Sequence, residues 1–193
     1  MASEITVQAQ LEFIKGLLGD DFVLPRTLLT MNGKNYIHRT QSILSTDTTL
    51  DLASLATPGL ALFVNRGPST VVTIKNAAAG TVIPKLKVGE PALFRFDTTV
   101  TAPVAISSTI VISAASNASP VEMTAAALHL LTTGDIVTIS GFTGGWTGCN
   151  GTFPVIVTST TKFTIAIDSS GFGAIAGSPV FVCASLEYLI LED

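Results

Sequence analysis

The 193-residue sequence is poor in charge, histidine, cysteine and long apolar runs. Only 12% of its residues are charged, against about 25% in an ordinary soluble domain. With 47% hydrophobic residues and a net charge of −4, it lacks the polarity that disorder requires. It also lacks the Glu-, Lys-, Leu- and Ala-rich composition of coiled coils and helical bundles. No apolar run reaches the roughly 18 residues of a membrane span, so no membrane partner is expected.

The small numbers of basic residues and cysteines exclude further classes of protein. The ten Lys and Arg residues are scattered, whereas nucleic-acid binding needs them clustered, so no nucleic-acid partner is expected. The first six residues contain neither a basic nor an apolar segment, which predicts no secretory signal and synthesis in a cytoplasm. Cys149 and Cys183 are too few for a disulfide framework.

Residues for catalysis or metal binding are also sparse. His38 and His129 are far apart in the sequence, and neither indicates an acid–base or nucleophilic site. Cysteines, histidines and carboxylates show no metal-ligand spacing, and the glycine-rich segment 141–151 lacks the Lys-Ser/Thr of a phosphate-binding loop. The sequence therefore predicts no catalytic residue, no metal, no cofactor and no enzymatic activity.

The residues that are abundant favour β structure. The chain contains 26 Thr and 16 Ser, with many Val and Ile residues, and Thr, Val and Ile suit pleated strands. Alternate residues from Ile5 to Phe13 are apolar, which is the period of a half-buried strand, and Gly16, Gly19, Asp20 and Asp21 predict a break after it. Further short apolar segments, separated by Gly, Pro and Asn turns, predict a jelly-roll-like β-sandwich.

Two Asn-Gly pairs indicate hairpin turns. They are Asn32-Gly33 and Asn150-Gly151. This dipeptide favours the type I′ turn, because both central residues of that turn need a positive φ. We therefore expect antiparallel strands on either side of each pair.

Charge and glycine are unevenly distributed along the chain. Residues 101–182 hold 4 of the 24 charged residues but 9 of the 16 glycines. Two runs of alternating apolar residues between 153 and 167 predict a meander of the size of an SH3-like barrel. Residues 183–193 again contain more charged residues, as residues 1–100 do. We therefore predict a β-sandwich frame domain at 1–107 and 183–193, with an inserted small β-barrel domain at 108–182.

Trp146 lies in the glycine-rich segment and has two interpretations. The favoured one is a turn in which the indole plugs one end of the barrel. The alternative is a surface on which aromatic rings stack against a sugar, because exposed aromatic residues are typical of binding surfaces. The candidate residues for that surface are Trp146, Phe142 and Tyr36.

The predicted insert resembles a small β module. The resemblance rests on Asp135-Ile-Val-Thr-Ile-Ser-Gly141, Trp146, Asn150-Gly-Thr-Phe-Pro-Val155 and Thr161-Lys-Phe-Thr-Ile165. The module recurs as an insert in tailed-bacteriophage virion proteins and is similar to the first catalytic-cysteine half-domain of ubiquitin-activating enzymes. In those enzymes the unit is a β-barrel without a catalytic cysteine, so the resemblance gives Cys149 no catalytic role.

The predicted frame resembles small structural proteins of tailed phages. The matching segments are Thr57-Pro-Gly59, Phe63-Val-Asn-Arg66, Lys85-Leu-Lys-Val-Gly-Glu90 and Leu186-Glu-Tyr-Leu-Ile-Leu-Glu192. The resemblance implies a capsid decoration or cement protein that binds the outer shell, is assembled in the bacterial host cytoplasm and resides in the virion. Its partners would be the major capsid protein or other virion proteins and further copies of itself, with a trimer as the expected homo-oligomer.

Two alternatives stay open at this stage. The same fold could serve as a tail, collar or fibre-attachment protein, because the frame pattern does not distinguish head from tail. The chain could also be a carbohydrate-binding module displayed on the virion, with a host-surface glycan as its partner. Shell contacts are expected from the frame, either through the strand from Ile5 to Phe13 or through exposed loops.

Overall fold

The computed structural model describes residues 5–15, 18–29, 33–97 and 99–193. Within these ranges the chain forms seventeen strands and a single 3₁₀ helix at Gly144–Cys149, which confirms the all-β class predicted from the sequence. The strands are β1 (Ile5–Lys15), β2 (Leu18–Leu29), β3 (Tyr36–Ser42), β4 (Thr48–Thr49), β5 (Pro58–Asn65), β6 (Val72–Lys75), β7 (Val82–Leu86), β8 (Pro91–Arg95), β9 (Val104–Ser107), β10 (Ile110–Ala115), β11 (Val121–Ala125), β12 (Ile136–Phe142), β13 (Gly151–Pro154), β14 (Ile156–Val157), β15 (Lys162–Ile165), β16 (Gly177–Val182) and β17 (Ser185–Glu192).

Eight of these strands, β3 to β9 and β17, form two four-stranded antiparallel sheets. Sheet I has the order β3-β17-β5-β8, and sheet II has the order β4-β9-β6-β7. When these eight strands are numbered along the chain, the two sheets run 1-8-3-6 and 2-7-4-5. This is the order of an eight-stranded jelly roll, so the predicted jelly-roll-like sandwich is confirmed.

Apolar side chains from alternate strand positions fill the space between the two sheets. Phe63 of β5 and Tyr188 of β17 are buried there. The Phe63 ring stacks on Phe94 with the centroids 5.3 Å apart and meets Phe96 edge-on. The Tyr188 hydroxyl lies 2.9 Å from the carbonyl oxygen of Asp51, so the polar end of this buried ring has a partner.

A seven-stranded sheet, called the barrel below, is formed by β10 to β16. Its order is β13-β12-β16-β10-β11-β15-β14. The two end strands, β13 and β14, are separated in the chain only by Val155. The sheet must therefore curl to bring both ends to this short segment, and the barrel is nearly closed. Trp146, Phe163 and Phe181 belong to its hydrophobic cluster.

The barrel is inserted between the seventh and eighth strands of the jelly roll, β9 and β17. The hydrophobic cluster of the jelly roll draws on residues 37–105 and 184–190, and that of the barrel on residues 112–183. The exact division at 107/108 and 182/183 stays a prediction.

An N-terminal hairpin, called the arm, precedes the jelly roll. Its strands β1 and β2 pair antiparallel, with Ile5 opposite Leu29 and Lys15 opposite Leu18. Eleven residues at about 3.3 Å each give β1 a length of roughly 36 Å. The strand predicted from Ile5 is confirmed. The break predicted at Gly19, Asp20 and Asp21 is wrong, because these three residues lie within β2, and Gly16 lies outside the described residues.

The two Asn-Gly signals have different outcomes. Asn32 lies outside the described residues. Asn150-Gly151 does connect antiparallel strands, since β12 pairs with β13. The connection is not a two-residue turn, however, because the helix at Gly144–Cys149 fills it. The Asn150 side chain instead binds both the N–H and the carbonyl oxygen of Phe142, each at 3.0 Å.

Candidate interaction surface

The outer face of sheet I carries apolar residues where a solvent-facing sheet usually carries polar ones. The outward positions of β5 and β17 include Leu60, Leu62, Val64, Leu189 and Leu191, which alternate with the buried inward positions. Both faces of these two central strands are therefore apolar. A sheet of this kind normally has a covering layer on each side.

The strand register extends this apolar surface across the sheet. Leu189 lies opposite His38 of β3 on one side and opposite Leu62 of β5 on the other, and Leu62 lies opposite Leu93 of β8. The side chains of Leu62 and Leu93 remain 38% and 46% exposed. Cross-strand neighbours on one face are close enough to contact, so three leucines form a continuous row that ends at a histidine.

The base of the arm covers part of this face and leaves a groove of about 360 Å³. Ile5 and Val7 are partly buried, whereas Thr6 and Gln8 are exposed. Residues 5–8 line the groove together with leucines of β5, β8 and β17. The groove is mainly apolar, and a ligand or partner that filled it would be held by hydrophobic contacts.

A charged cluster borders the apolar row. Glu187 Oε2 accepts a hydrogen bond from Arg66 Nε at 2.6 Å, and Glu187 Oε1 lies 2.9 Å from His38 Nε2. The bond from Arg66 first, and then the contact with His38, hold the pKa of the Glu187 carboxyl below its ordinary value of 4.5. The rim is thus a fixed carboxylate between two exposed basic side chains, which gives a partner a polar border around the apolar centre.

Glu192 fastens the segment that joins the arm to β3. Its Oε2 accepts hydrogen bonds from the backbone N–H groups of Lys34 and Asn35, both at 3.2 Å, and from the Asn35 side chain at 2.9 Å. Its Oε1 accepts from the N–H of Ala56 at 3.3 Å. The bond from Ala56, followed by those from Lys34 and Asn35, lowers the pKa of this carboxyl. A side chain at Gly33 would collide with Glu192, so glycine is required for this close approach.

A second exposed apolar surface lies on β7 and the turn that leads to β8. We call it the β7 surface and define it by Val82, Ile83, Lys85, Lys87 and Val88, of which Ile83 and Lys85 share one face of the strand and Val82 lies on the other. Its three apolar residues are 41–44% exposed. Among the described residues, neither lysine forms an ion pair. The β7 surface therefore combines apolar area with two uncompensated positive charges.

The three aromatic residues proposed as a sugar-stacking surface do not form one. Trp146 and Phe142 are buried and stack on each other with centroids 5.6 Å apart. The indole Nε1–H donates to the carbonyl oxygen of Ala174 at 3.0 Å, and Phe172 meets the ring edge-on. Tyr36 is 68% exposed but lies on β3 of the jelly roll. Because their rings are covered, Trp146 and Phe142 are corrected to core residues, and Tyr36 alone remains at the surface.

The residues with reactive side chains are dispersed. Burial, and then the charge of Asp135, raises the pKa of the Cys183 thiol to about 12, and burial raises the pKa of the Cys149 thiol. His129 is buried, accepts a hydrogen bond from Leu131 N–H at 3.0 Å and meets the Phe163 ring edge-on. In the part of the chain that the structure describes, no three His, Cys, Asp or Glu side chains are grouped to hold a metal ion.

Sequence reasoning missed the outer face of sheet I. The signal was present, since segments 60–64 and 186–191 carry apolar residues in both phases of the strand period. No helix within the described ranges has the length and hydrophobicity of a membrane span.

No protein-family model matches the chain, and no curated protein matches it either.

Proposed function

We propose that this chain is a non-enzymatic structural protein of a tailed-phage virion, and that it decorates the outer capsid shell. The observation that carries the proposal is the apolar outer face of sheet I, in which half-buried Leu189 and the exposed Leu62 and Leu93 form one row. Exposed apolar patches of this kind mark protein–protein contacts. The sequence resemblance to tailed-phage structural proteins supplies the class of partner.

The pairing of charges on the outer face of sheet I supports the same proposal. A surface that is buried on a shell must lose its water, and each stranded charge would cost free energy. On the outer face of sheet I, Glu187 is already paired with Arg66 and His38. Contact with the shell can therefore cover the leucine row while the charged cluster stays at the rim. Weak contacts of this kind add up when many copies bind a symmetric shell.

The fold is compatible with this role. Jelly rolls occur in viral capsid proteins, in lectins and in other classes, so the architecture supports the proposal only by analogy. The arrangement that we propose has sheet I facing the shell and the barrel projecting from the loop between β9 and β17. A projecting barrel would present its own surface to the outside of the virion.

The test is the position and copy number of the protein in purified virions. Quantitative mass spectrometry against the major capsid protein, together with a virion reconstruction, should find hundreds of copies on the shell. Six, twelve or eighteen copies would overturn the decoration role and place the protein in the tail or collar. As a functional check, Leu62→Asp with Leu93→Asp should abolish binding to capsids that lack the protein, whereas Tyr36→Ala should not.

A further inference from the structure

The segment that follows β11 in the barrel has a strained backbone. Leu130 has a φ of 51°, in the left-handed region that residues with a side chain rarely adopt. Leu128 and Leu130 are 62% and 66% exposed, whereas His129 and Leu131 are buried. A strained residue persists only where the surrounding structure fixes it. Because Leu130 itself is mostly in solvent, the contacts that fix it must come from its neighbours.

The ring of His129 provides these contacts. Its Nδ1 accepts a hydrogen bond from the N–H of Leu131 at 3.0 Å, which closes a turn around Leu130. Its Nε2 lies 3.4 Å from the carbonyl oxygen of Lys162 on β15. A neutral imidazole that accepts at Nδ1 carries its proton on Nε2, so the second contact is a donation to Lys162. The ring thus fastens residues 128–131 to the hairpin of β14 and β15.

Only the neutral form of the imidazole can make both bonds. The imidazolium carries hydrogen on both ring nitrogens and has no acceptor. Protonation would therefore point the Nδ1–H of His129 at the N–H of Leu131 and leave two buried donors without a partner. His129 is only 1% exposed, so water would not hydrate the added charge in this conformation.

The charged residues around the ring do not compensate a positive charge on it. Glu122 Oε1 on β11 lies 2.8 Å from Nζ of Lys162, so these two charges pair with each other. Asp135 Oδ2 accepts hydrogen bonds from the N–H and the hydroxyl of Thr132, at 2.7 Å and 3.2 Å. Among the described residues, His129 takes part in no ion pair. An imidazolium at this position would be a buried charge without a partner, which is strongly destabilising.

The fastened segment forms one wall of a groove on the barrel. The groove has a volume of about 410 Å³ and is lined by residues 128–131 and 157–160. Residues 157–160 contribute no charged side chain. Leu131 anchors the inner end of the segment, because it belongs to the hydrophobic cluster of the barrel. Detachment of the segment would therefore widen the groove and expose part of that cluster.

We propose that His129 is a pH-sensitive latch of the barrel, in which protonation of the ring releases residues 128–131 and opens the groove. The latch is closed when the imidazole is neutral, because both of its hydrogen bonds then form. It opens in acid, because the released imidazolium is hydrated and the backbone strain at Leu130 is relieved. The inference goes beyond the proposed function, since it concerns the barrel and needs no virion partner.

Hydrogen exchange of the Leu131 amide, measured by NMR on purified protein, tests the latch. The pH is lowered from about 7.5 to about 5, a range that includes the ordinary titration of imidazole near 6.5. Because opening is linked to the uptake of one proton, protection corrected for the intrinsic rate should fall by about tenfold per pH unit in the acid part of this range. The amides of β12 should keep their protection, since the opening is local.

The two histidines of the chain supply matched variants. His129→Asn keeps an acceptor for the N–H two residues on, as in an Asx turn, but takes up no proton in this range. Protection of Leu131 should therefore be independent of pH in this variant. His38→Asn removes the exposed histidine of β3 and should leave the pH response of the wild type unchanged.

A second readout needs no variant and covers the case in which His129→Asn does not fold. Ring ¹⁵N spectra of the wild type should show His129 with its proton on Nε2 at neutral pH. The imidazolium signal of the same ring should appear together with the loss of protection at Leu131.

Four results would overturn the proposal. They are constant protection of Leu131 across the range, the same fall in folded His129→Asn, loss of the response in His38→Asn, and an imidazolium signal from His129 while Leu131 stays protected. The measurement does not involve the virion, so the latch can fail while the shell location stands, and the reverse also holds.

Discussion

The Thr70 hydroxyl donates a hydrogen bond to the carbonyl oxygen of Cys183 at 3.0 Å. The same hydroxyl accepts from Ser107 Oγ at 2.9 Å. Ser107 ends β9, and Cys183 lies just before β17, so one buried side chain of the jelly roll links both ends of the inserted segment. Entry and exit are thereby held together, which is the geometry that insertion of a folded unit requires.

Removal of this hydroxyl should destabilise the fold. Thr70→Val keeps the shape of the side chain but leaves the buried carbonyl oxygen of Cys183 without this donor, at a cost of about 1–3 kcal/mol. The Ser107 hydroxyl keeps the carbonyl oxygen of Ser108 as an acceptor at 2.9 Å. Denaturant unfolding measures the change. Thr70→Ser keeps the hydroxyl and should lose less stability. Equal stability of Thr70→Val and the wild type would show that the link contributes nothing.

Replacement of residues 108–182 by a short Gly/Ser linker should leave a folded jelly roll. The expectation follows from the separate hydrophobic clusters and from the closeness of Ser107 to Cys183 through Thr70. Circular dichroism and a cooperative thermal transition would support the predicted domain division. A shortened chain without a cooperative transition would refute the idea that the frame folds by itself.

Glu192→Gln should loosen the junction between the arm and β3 at neutral pH. Hydrogen bonds to Glu192 lower its pKa in the folded protein from the ordinary 4.5. Its stabilising contribution is therefore complete above that value and is lost as the pH falls through the lower, folded pKa. Wild type and variant should differ in stability at pH 7 and converge well below pH 4.5.

A matched control is available at the same junction. Lys34 contacts Glu192 through its backbone N–H, so Lys34→Ala keeps that bond and should change stability little. If Glu192→Gln has the same stability as the wild type at neutral pH, the carboxylate does not hold the junction. Hydrogen exchange of the Asn35 amide would locate the effect.

Both thiols should be unreactive in the folded protein. Burial raises the pKa of Cys149, and burial with the Asp135 charge raises that of Cys183 to about 12. Since the thiolate is the reactive form, a thiol reagent at a pH of about 8 should modify neither residue in the native state. Two thiols should react after unfolding in denaturant. Rapid modification of the native protein would contradict the buried placement.

Trp146→Ala should cost about 3–5 kcal/mol, because it removes a buried aromatic ring from a packed cluster. Tyr36→Ala at an exposed position should stay within about 0.5 kcal/mol of the wild type. Unfolding followed by circular dichroism separates the two. On a glycan array, wild-type binding that Tyr36→Ala retains and Trp146→Ala abolishes without unfolding would restore the sugar-stacking interpretation.

Local patterns in the sequence predicted the class of fold but not the length of the arm. Thr, Val and Ile content and the alternation after Ile5 indicated strands, and the turn spacing indicated a jelly roll. Gly19 and Asp20 suggested a break because both residues are unfavourable in strands. In the structure they lie in β2 opposite Phe13 and Ile14, since cross-strand pairing outweighs the weak local preference.

Aromatic identity was a poor guide to the candidate surface. All three candidate side chains, Trp146, Phe142 and Tyr36, are aromatic. The 3₁₀ helix and the Asn150 side chain, however, place Trp146 and Phe142 in the barrel core. Leucines formed the apolar row on sheet I instead. The position of Leu189 beside His38 and Leu62 depends on registers between residues more than a hundred apart in sequence.

The sequence by itself determined that this protein is built from strands, because the periodicity and composition that select β structure are local. Tertiary structure alone decided which leucines share the outer face of sheet I, and that Thr70 meets both ends of the insert. These relationships arise when β17 pairs between β3 and β5, and no short stretch of the chain encodes that long-range pairing.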